Sequence, residues 1–311
     1  MRRVLERFLV GAAALGVVAV VMLAGSTPAF AQSDFTGKYR KLNHSDAAKR
    51  GGGPEIGDYT GLPLNDAARM RADAWEASLF TIPEYQCRPH TGPYSERGFS
   101  GATIKWWEEI DPRTAKIVAW RIRGGFEEPE RWIYMDGRPH PPAYAAHTWF
   151  GFSTGKWEGS TLVVNTTHLK EGYTERNGVA QSDRATVTEN WVRHADYLNE
   201  ITIIEDPVYL TEPLVRSSTW VFDNSLQFYR SPCAPQETTV EVVRTSTQIP
   251  HILPGMNKSL TEFPIRYGIP YEAVRGYAEA LYPDYLEKLK TLQPATKDTA
   301  AKQAGQERKE P

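Results

Sequence analysis

The sequence predicts a mainly β fold: an antiparallel meander of about eight strands that forms a barrel or a strongly bent sheet, with flanking N- and C-terminal α-helices. Three observations lead to this prediction. Between residues 103 and 223, short runs rich in Val, Ile, Thr, Trp and Tyr recur at hairpin spacing. Turn signals such as Asp111-Pro112 and Asp136-Gly137 separate these runs. Eight of the nine tryptophans lie in the same region.

The predicted strands share a high content of β-branched and aromatic residues. They cover residues 103–110, 116–122, 131–135, 152–157, 161–169, 185–194, 198–205 and 215–223. Because no helical pattern interrupts them, each strand is expected to pair with its neighbour in the chain. A meander of this length must bury its faces and protect its edge strands, and curling into a barrel or a bent sheet achieves both.

Helical patterns flank the meander on both sides. Asn65 is a preferred N-cap residue type, and apolar residues between positions 64 and 79 recur at helical spacing. Near the C-terminus, Pro270 suits the first turn of a helix that continues past Pro283 to about residue 292. These patterns predict one helix before the β region and helices after it.

The first 31 residues have the three parts of a signal peptide. A basic start is followed by an apolar run over residues 8–24 and by the cleavage motif Ala29-Phe30-Ala31 before Gln32. The sequence therefore predicts a bacterial protein that is exported to the periplasm or secreted. An uncleaved membrane anchor is the alternative, because the apolar run is close to the shortest length that spans a bilayer.

Cleavage would leave residues 32–292 as a single β-rich domain and residues 293–311 as a polar, disordered tail. No membrane-spanning segment is expected in the cleaved protein. Export would place Cys87 and Cys233 in an oxidising compartment, where a disulfide between them is expected. A metal site that uses both cysteines and His90 is the alternative.

Composition excludes several classes of protein. The 311 residues include 36 Lys and Arg against 38 Asp and Glu, a net charge of −2, which offers no basic surface for nucleic acid. Aromatic residues make up 11% of the chain, too many for a disordered protein. Two cysteines are too few for a disulfide-rich miniprotein or a four-cysteine zinc site. The expected partner is a small molecule, and no cofactor is expected.

One segment resembles a known family. Residues 155–167 read GKWEGSTLVVNTT, with DGRPHPP at 136–142 and DPVY at 206–209. This pattern is similar to that of a family of uncharacterised exported bacterial proteins whose motif is approximately G-x-W-E-G-D-T-L-V-V-D-T. The resemblance implies export and a β-meander, and it implies no catalytic residues. The Gly-Lys-Trp tripeptide also resembles the G-x-W of lipocalin-like barrels, which is an analogy of architecture only.

Histidines are the first candidates for chemistry. His140 and His147 lie in the long loop before residue 152, and His168 lies at the exit of the strand that follows, at the expected mouth of the barrel. With Asp183 or Glu158 as orienting carboxylates, they can perform general acid/base chemistry or bind zinc. The alternative is that the loop histidines are solvated and that His168 bonds a backbone carbonyl.

The tryptophans suggest a ligand cavity. The strand over residues 185–194 alternates apolar, hydroxyl, amide and carboxylate side chains, so neither of its faces is purely apolar. The predicted ligand contacts are three tryptophans, a histidine and an arginine: Trp149, Trp157, Trp191, His140 and Arg184. Filling of the core is the alternative role of the tryptophans, and a structural pair with Asp183 is that of Arg184.

Residues 151–155 match the G-x-S-x-G pattern of serine hydrolases. That chemistry requires a sharp turn from a strand into a helix, and here another strand follows, so Ser153 is not expected to be a nucleophile. The leading hypothesis is binding of a small amphipathic or aromatic molecule at the mouth of a barrel. A hydrolase, lyase or isomerase, and a structural protein with a packed barrel, are the two alternatives.

Overall fold

The architecture is taken from a computed structural model. It describes residues 33–42, 55–76, 91, 103–124, 130–175, 177–227, 252–253, 256–274 and 276–297. The predicted signal peptide, both members of the predicted disulfide, and residues 298–311 of the predicted tail lie outside these ranges.

The strands within the described ranges are β1 (Gly37–Lys41), β2 (Thr103–Asp111), β3 (Lys116–Gly124), β4 (Glu130–Tyr134), β5 (Phe152–Glu158), β6 (Thr161–Thr167), β7 (Gly172–Glu175), β8 (Val179–Gln181), β9 (Thr186–His194), β10 (Tyr197–Glu205) and β11 (Leu214–Phe222). The helices are α1 (Asp66–Asp73), α2 (Ser259–Tyr267), α3 (Tyr271–Val274), a 3-10 helix (Tyr277–Leu281) and α4 (Pro283–Lys290).

Nine strands form a closed barrel in the order β1-β11-β10-β9-β6-β5-β4-β3-β2, and β1 pairs with β2 to complete the circle. Neighbouring strands are antiparallel except β4 and β5, which are parallel. Strands β7 and β8 form a separate hairpin between β6 and β9. The predicted mainly β barrel is confirmed, with one strand more than expected and one parallel pair.

Strand β1 closes the barrel. It lies within the segment before α1 that has no recognisable β pattern, yet Tyr39 pairs with Ile104 of β2 on one side and with Phe222 of β11 on the other. Phe35 and Tyr39 point inward and are fully buried. Without β1, strands β2 and β11 would be open edges, so this short segment determines closure.

The flanking helices are present on both sides. Asn65 caps α1, since its Oδ1 accepts a hydrogen bond from the N–H of Ala68 at 3.0 Å. The helical pattern after Pro270 is divided into α3, the 3-10 helix and α4. Helix α2 is an element that the sequence pattern did not predict, because Pro264 interrupts its centre. Among the helices described, none has the length and apolar character needed to cross a membrane.

Tryptophans fill the centre of the barrel. Trp106, Trp120, Trp191 and Trp220 all point inward and are at most 1% exposed. Trp106 meets Trp191 edge to face, with ring centres 5.0 Å apart. A tryptophan buries about 200 Å², so each contributes at most about 5 kcal/mol of transfer free energy. The centre of the barrel is therefore a packed core.

Charged side chains share this interior. Arg131 and Glu189 are buried and form an ion pair, with Nη2 2.8 Å from Oε2. Glu200, also buried, accepts a hydrogen bond from the indole N–H of Trp220 at 3.2 Å. Removal of a charge from water costs several kcal/mol unless a partner compensates, and Arg131 and Glu189 compensate each other inside the barrel.

A second apolar cluster covers the end of the barrel at which β6 exits. It comprises buried side chains from residues 59–72, from β8 to β11, and from the C-terminal helices: Tyr59, Leu62, Leu64, Ala68, Ala72, Leu169, Val179, Ala180, Val187, Ile204, Tyr209, Leu214, Leu260 and Tyr277. The bridge between Leu64 and Leu210 joins the segment before α1 to the connection between β10 and β11. The helices are thus attached to one end of the barrel.

Candidate functional site

The candidate site is formed by residues 135–151, here called the histidine loop. Because β4 and β5 are parallel, the loop must return along the barrel wall before β5 can begin. Its path brings His140 and His147 to the end of β6, directly after which His168 lies. The three histidines that the sequence singled out therefore lie together.

A chain of four hydrogen bonds joins the histidine loop to the outer side of β5 and β6. The Nε2 of His140 lies 2.8 Å from the hydroxyl of Thr154, and its Nδ1 lies 2.7 Å from that of Thr167. The same Thr167 hydroxyl lies 2.7 Å from Nδ1 of His168. Finally, Nε2 of His168 lies 3.0 Å from the carbonyl oxygen of Pro142.

The direction of each hydrogen bond follows from the carbonyl oxygen of Pro142, at which the chain of hydrogen bonds ends. A carbonyl can only accept, so Nε2 of His168 carries a hydrogen and its Nδ1 accepts from Thr167. The hydroxyl of Thr167 has then used its one hydrogen, so it accepts from Nδ1 of His140. Thr154 completes the chain by donating to Nε2 of His140. Neutral histidines thus satisfy every bond with a single arrangement of tautomers.

This arrangement disfavours a positive charge on His140. Partial burial lowers the pKa of His140 below its usual 6.5, and a positive charge on His168 would lower it further. If both rings were protonated, Thr167 would face two donors and its own hydrogen would have no acceptor in the chain. The chain of hydrogen bonds therefore favours at most one positive charge on His140 and His168 together.

The backbone at two positions fixes the loop. Gly151 adopts φ +67°, and a Cβ added there would lie 2.5 Å from the carbonyl oxygen of Thr167, so only glycine fits without a shift of the strand. His168 adopts φ +58°, a left-handed conformation that is uncommon for a residue with a side chain. It turns the chain out of β6 and places the ring beside the loop.

His147 differs from the other two histidines. Its Nδ1 donates to the carbonyl oxygen of Leu169 at 2.8 Å, which leaves Nε2 as the acceptor in the neutral ring. Its ring centre lies 5.2 Å from that of His168. The residues that the structure describes offer Nε2 no hydrogen-bond partner. His147 is half-buried, so this nitrogen is the ring atom of the cluster that is left without a partner in these ranges.

Stacked side chains on the outer wall continue from the loop across β5 to β2. This aromatic face comprises Trp107, Arg121, Trp132, Tyr134 and Phe152. The Arg121 guanidinium lies between two indoles, 4.7 Å from the ring centre of Trp107 and 4.5 Å from that of Trp132. Phe152 stacks on Tyr134 at 5.2 Å and meets His140 edge to face at 5.3 Å. The aromatic face thus supports the loop.

Two predicted site residues lie at the other end of the barrel. Trp157 packs against Phe35, with ring centres 5.3 Å apart, and Glu158 is exposed in an ion pair with Lys156 at 2.5 Å. Trp157 pairs with Leu162, six residues from His168 along the chain, so about 20 Å separates these positions. The structure does not bring either residue to the histidines.

Asp183 and Arg184 lie in the exposed turn before β9. The turn is held by their neighbour Ser182, whose N–H and hydroxyl both donate to the buried carboxylate of Asp206 at 2.7 Å. No hydrogen bond joins Asp183 to a histidine within the described part of the chain. Asp206 is a residue that sequence reasoning missed, and it organises both this turn and the one that begins at its own position.

The other tryptophans have separate roles. Trp149 is buried within the histidine loop itself, and the Lys170 amine lies 4.9 Å from its ring centre. Trp191 lies in the packed core and does not reach the loop. Ser153 also points into the barrel, where its hydroxyl bonds that of Thr166 at 2.8 Å, so it is not presented as a nucleophile.

Metal binding finds no support in the geometry. In the described ranges, no group of three or more His, Cys, Asp or Glu side chains is placed to hold a metal ion. The nitrogens of His140 and His168, and Nδ1 of His147, face hydroxyls and backbone carbonyls instead. His168 does bond a backbone carbonyl, as the simpler of the two sequence interpretations stated.

Sequence reasoning missed Thr154 and Thr167 as partners of the histidines. Alternation along β6 places Thr167 on the face opposite the inward Leu162, so its outward direction could be read from the sequence. Nothing in the sequence indicates that the loop crosses β5 and β6 at these hydroxyls. The contact joins a loop to a strand, and such a contact leaves no periodic pattern in the sequence.

Comparisons with known proteins add little. No protein-family model matches the chain, and no curated protein matches it. Among solved structures, a similar chain is secretory abundant heat soluble protein 4 from Ramazzottius varieornatus, with a TM-score of 0.28 and 11% identity over 61% of this chain and 99% of that one. A likeness this weak carries no argument about fold or function.

Proposed function

We propose that the protein is an exported binding protein and that a small amphipathic or aromatic molecule binds at the histidine loop. Packed tryptophans occupy the centre of the barrel, so the site is assigned to the outer wall, where β6 exits. One observation carries the proposal. The hydrogen bond from Nδ1 to Leu169 fixes the ring of His147 and leaves Nε2 accessible as an acceptor.

The surroundings of His147 define the class of ligand. A neutral ring with Nδ1–H already donated accepts a hydrogen bond, so the ligand carries a donor such as a phenol, an alcohol or an indole N–H. Tyr144, on the same loop, is 91% exposed and offers an aromatic surface. An amphipathic molecule with one O–H or N–H donor and one ring satisfies both features.

Nuclear magnetic resonance of the imidazole nitrogens tests the proposal. The protein is labelled with ¹⁵N-histidine and titrated at pH 7.5 with 4-hydroxybenzoate, indole-3-acetate and octanol as probes. We expect at least one probe to shift the Nε2 signal of His147 more than any signal of His140 or His168, because both nitrogens of those rings are already bonded.

His194 provides the matched control, because it is an exposed histidine at the opposite end of the barrel. His147→Ala should abolish saturable binding of the active probe, and His194→Ala should leave it unchanged. The proposal is wrong if no probe shifts the His147 signal, or if His147→Ala binds as the unaltered protein does.

Export and the disulfide belong to the same proposal. We expect protein recovered from the periplasm to begin at Gln32, because the Ala-Phe-Ala motif precedes that residue. Mass spectrometry of this material should find Cys87 linked to Cys233. Retention of the leader, or two free thiols, would refute the corresponding part of the proposal.

Catalysis is the second candidate. A carbonyl that holds Nδ1–H of a histidine fixes the tautomer in which Nε2 is the acceptor, and this is the arrangement of a general base. An enzyme would therefore use His147, since both nitrogens of His168 are engaged. Chemical conversion of a bound probe, lost on His147→Ala with unchanged folding, would favour a hydrolase, lyase or isomerase over a binding protein.

A further inference from the structure

The centre of the outer wall on the side of β9, β10 and β11 carries no charge. The outward side chains between the end positions Thr186, His194 and Glu205, here called the β9–β11 face, are all exposed or half-buried: Thr188, Asn190, Val192, Tyr197, Asn199, Ile201, Ile203, Val215, Ser217, Thr219 and Val221. Protein surfaces are about 30% charged, so about four of the outward positions on these three strands would be charged, whereas Glu205 alone is. The centre of this wall is therefore depleted of charge.

Large apolar groups are exposed on this face, and one of them lies at its centre. Ile201 is 45% exposed, Val215 is 58% exposed, and Tyr197 at one end is 49% exposed. Ile201 pairs directly with Ser217 on β11 and with Asn190 on β9, so it lies in the middle of the three strands. Depletion of charge around exposed apolar side chains is the composition of an interface core.

Polar and charged residues surround the face. Arg40 borders it on β1, where it pairs with Val221, and Glu205 ends it at the last position of β10. His194 and Asp196 lie at the opposite end, in and beside the turn between β9 and β10. An uncharged centre with a polar border is the arrangement of a binding surface and its rim.

The side chains of the face are held in place before any partner arrives. Seven of the eleven are Thr, Val or Ile, whose branched Cβ restricts χ1. Thr219 donates to Asn199 Oδ1 across the strands at 3.0 Å, and Thr188 donates to Asn165 Oδ1 at 3.1 Å. Such a surface loses little conformational entropy on association, which favours binding through a small area.

We infer that the β9–β11 face binds the same face of a second copy of this chain. A two-fold contact places a surface against itself, so any charge near its centre would meet a like charge. A face without charge is complementary to itself, and it avoids repulsion in a protein whose net charge is −2. The occupant with matching chemistry is therefore another copy.

The size of the face sets the strength of this contact. Three strands spaced about 4.8 Å apart and seven residues of about 3.3 Å each cover about 14 Å by 23 Å. That is less than half of the roughly 800 Å² that each partner contributes to a standard interface, so we expect a weak dimer with a dissociation constant of about 10 to 100 μM.

Sedimentation velocity over about 5 to 500 μM tests the inference, because this range brackets the expected dissociation constant. The unaltered protein should convert from monomer to dimer across it. Ile201→Lys places two like charges near the two-fold axis and should raise the dissociation constant at least about tenfold. Ser217→Lys, at an exposed position that folding does not require, should act in the same way.

Ile110→Lys is the matched control. Ile110 is also an exposed isoleucine on the barrel, 50% exposed, but it lies on β2, away from the face. This variant should dimerise as the unaltered protein does. The inference is overturned by a monomer at about 500 μM, by dimers that Ser217→Lys leaves intact, or by equal weakening in Ile110→Lys. Circular dichroism establishes that each variant is folded.

Discussion

The aromatic face and the β9–β11 face belong to the same barrel and have opposite designs. On the aromatic face, Arg121 lies between two indoles and pairs with the carboxylates of Glu109, at 2.6 Å, and Glu130. Each side chain there contacts another within the wall. On the β9–β11 face, Ile201 extends to solvent among uncharged outward side chains.

The inward sides of the two walls do not differ in this way. Trp106 and Trp120 lie beneath the aromatic face, and Trp191 and Trp220 lie beneath the β9–β11 face, all of them buried. The barrel is therefore held together from within on both sides. The two walls differ on the outside, where one holds the histidine loop and the other is the face for which we propose association.

Gly151→Ala should have the largest effect, because it detaches the histidine loop from the wall. The new methyl group would meet the carbonyl oxygen of Thr167 at 2.5 Å and the side chains of Thr166 and Leu169 below 3.0 Å. Together with the left-handed backbone, this should lower the free energy of unfolding by about 3 kcal/mol, measured by urea denaturation.

Gly137→Ala isolates the steric part of that effect. Gly137 lies on the same loop with a similar φ of +74°, but nothing lies within 4 Å of its added Cβ. Its cost should be about 1 kcal/mol, from backbone conformation alone. Equal losses for the two variants would mean that the loop is not pressed against β6.

Arg121→Ala should have the next largest effect, confined to the aromatic face. The variant removes two cation–π contacts and two ion pairs at a position that is partly exposed. Exposed contacts of these kinds are worth about 0.5 kcal/mol each, so we expect a loss of about 2 kcal/mol in urea denaturation.

Arg121→Lys tests whether the positive charge alone accounts for the stability that Arg121 provides. Lysine keeps the charge but lacks the planar group that stacks between Trp107 and Trp132, so it should recover less than half of the loss. Full recovery by lysine would show that the stack contributes nothing and that the two faces differ in charge only.

The sequence predicts the barrel better than it predicts how the barrel closes. Alternation identified eight strands because each presents apolar residues at period two. Strand β1 was not predicted because its inward positions include Gly37 and Lys41 beside Tyr39. Lys41 is buried with its amine 4.8 Å from the ring centre of Trp220, a compensation that appears only in three dimensions.

The candidate site was predictable in part for a similar reason. His168 at a strand exit follows from the length of the apolar run over residues 161–169. The parallel pairing of β4 and β5 does not, because parallel neighbours are usually joined by a helix and the histidine loop contains none. That pairing carries His140 to Thr167, so the contact depends on topology rather than on sequence spacing.

Acidification should weaken the side of the barrel that holds the loop. The folded protein lowers the pKa of His140 below 6.5, through burial first and His168 second. As the pH falls through 6.5, the unfolded chain therefore binds a proton that the folded chain does not, and the free energy of unfolding decreases. Urea denaturation between about pH 7.5 and 5 should give a slope of less than one proton.

His140→Gln should flatten this pH dependence, because glutamine does not titrate. His194→Gln is the matched control, since His194 is exposed at the end of the β9–β11 face. It should leave the slope as it is in the unaltered protein. If both variants changed the pH dependence of the free energy of unfolding equally, His140 would not be its source.

Thr219→Val should have the smallest effect, because it removes one partly buried hydrogen bond from the β9–β11 face and keeps the branched shape. The lost bond joins Thr219 to Asn199 at 3.0 Å, and a neutral bond of this kind contributes about 0.5 kcal/mol. Urea denaturation should therefore barely separate the variant from the unaltered protein. The face also stays uncharged, so the dimer dissociation constant should change less than about threefold. A loss in the free energy of unfolding as large as that of Arg121→Ala would contradict the comparison. It would mean that side chains on the β9–β11 face contact one another as strongly as those on the aromatic face.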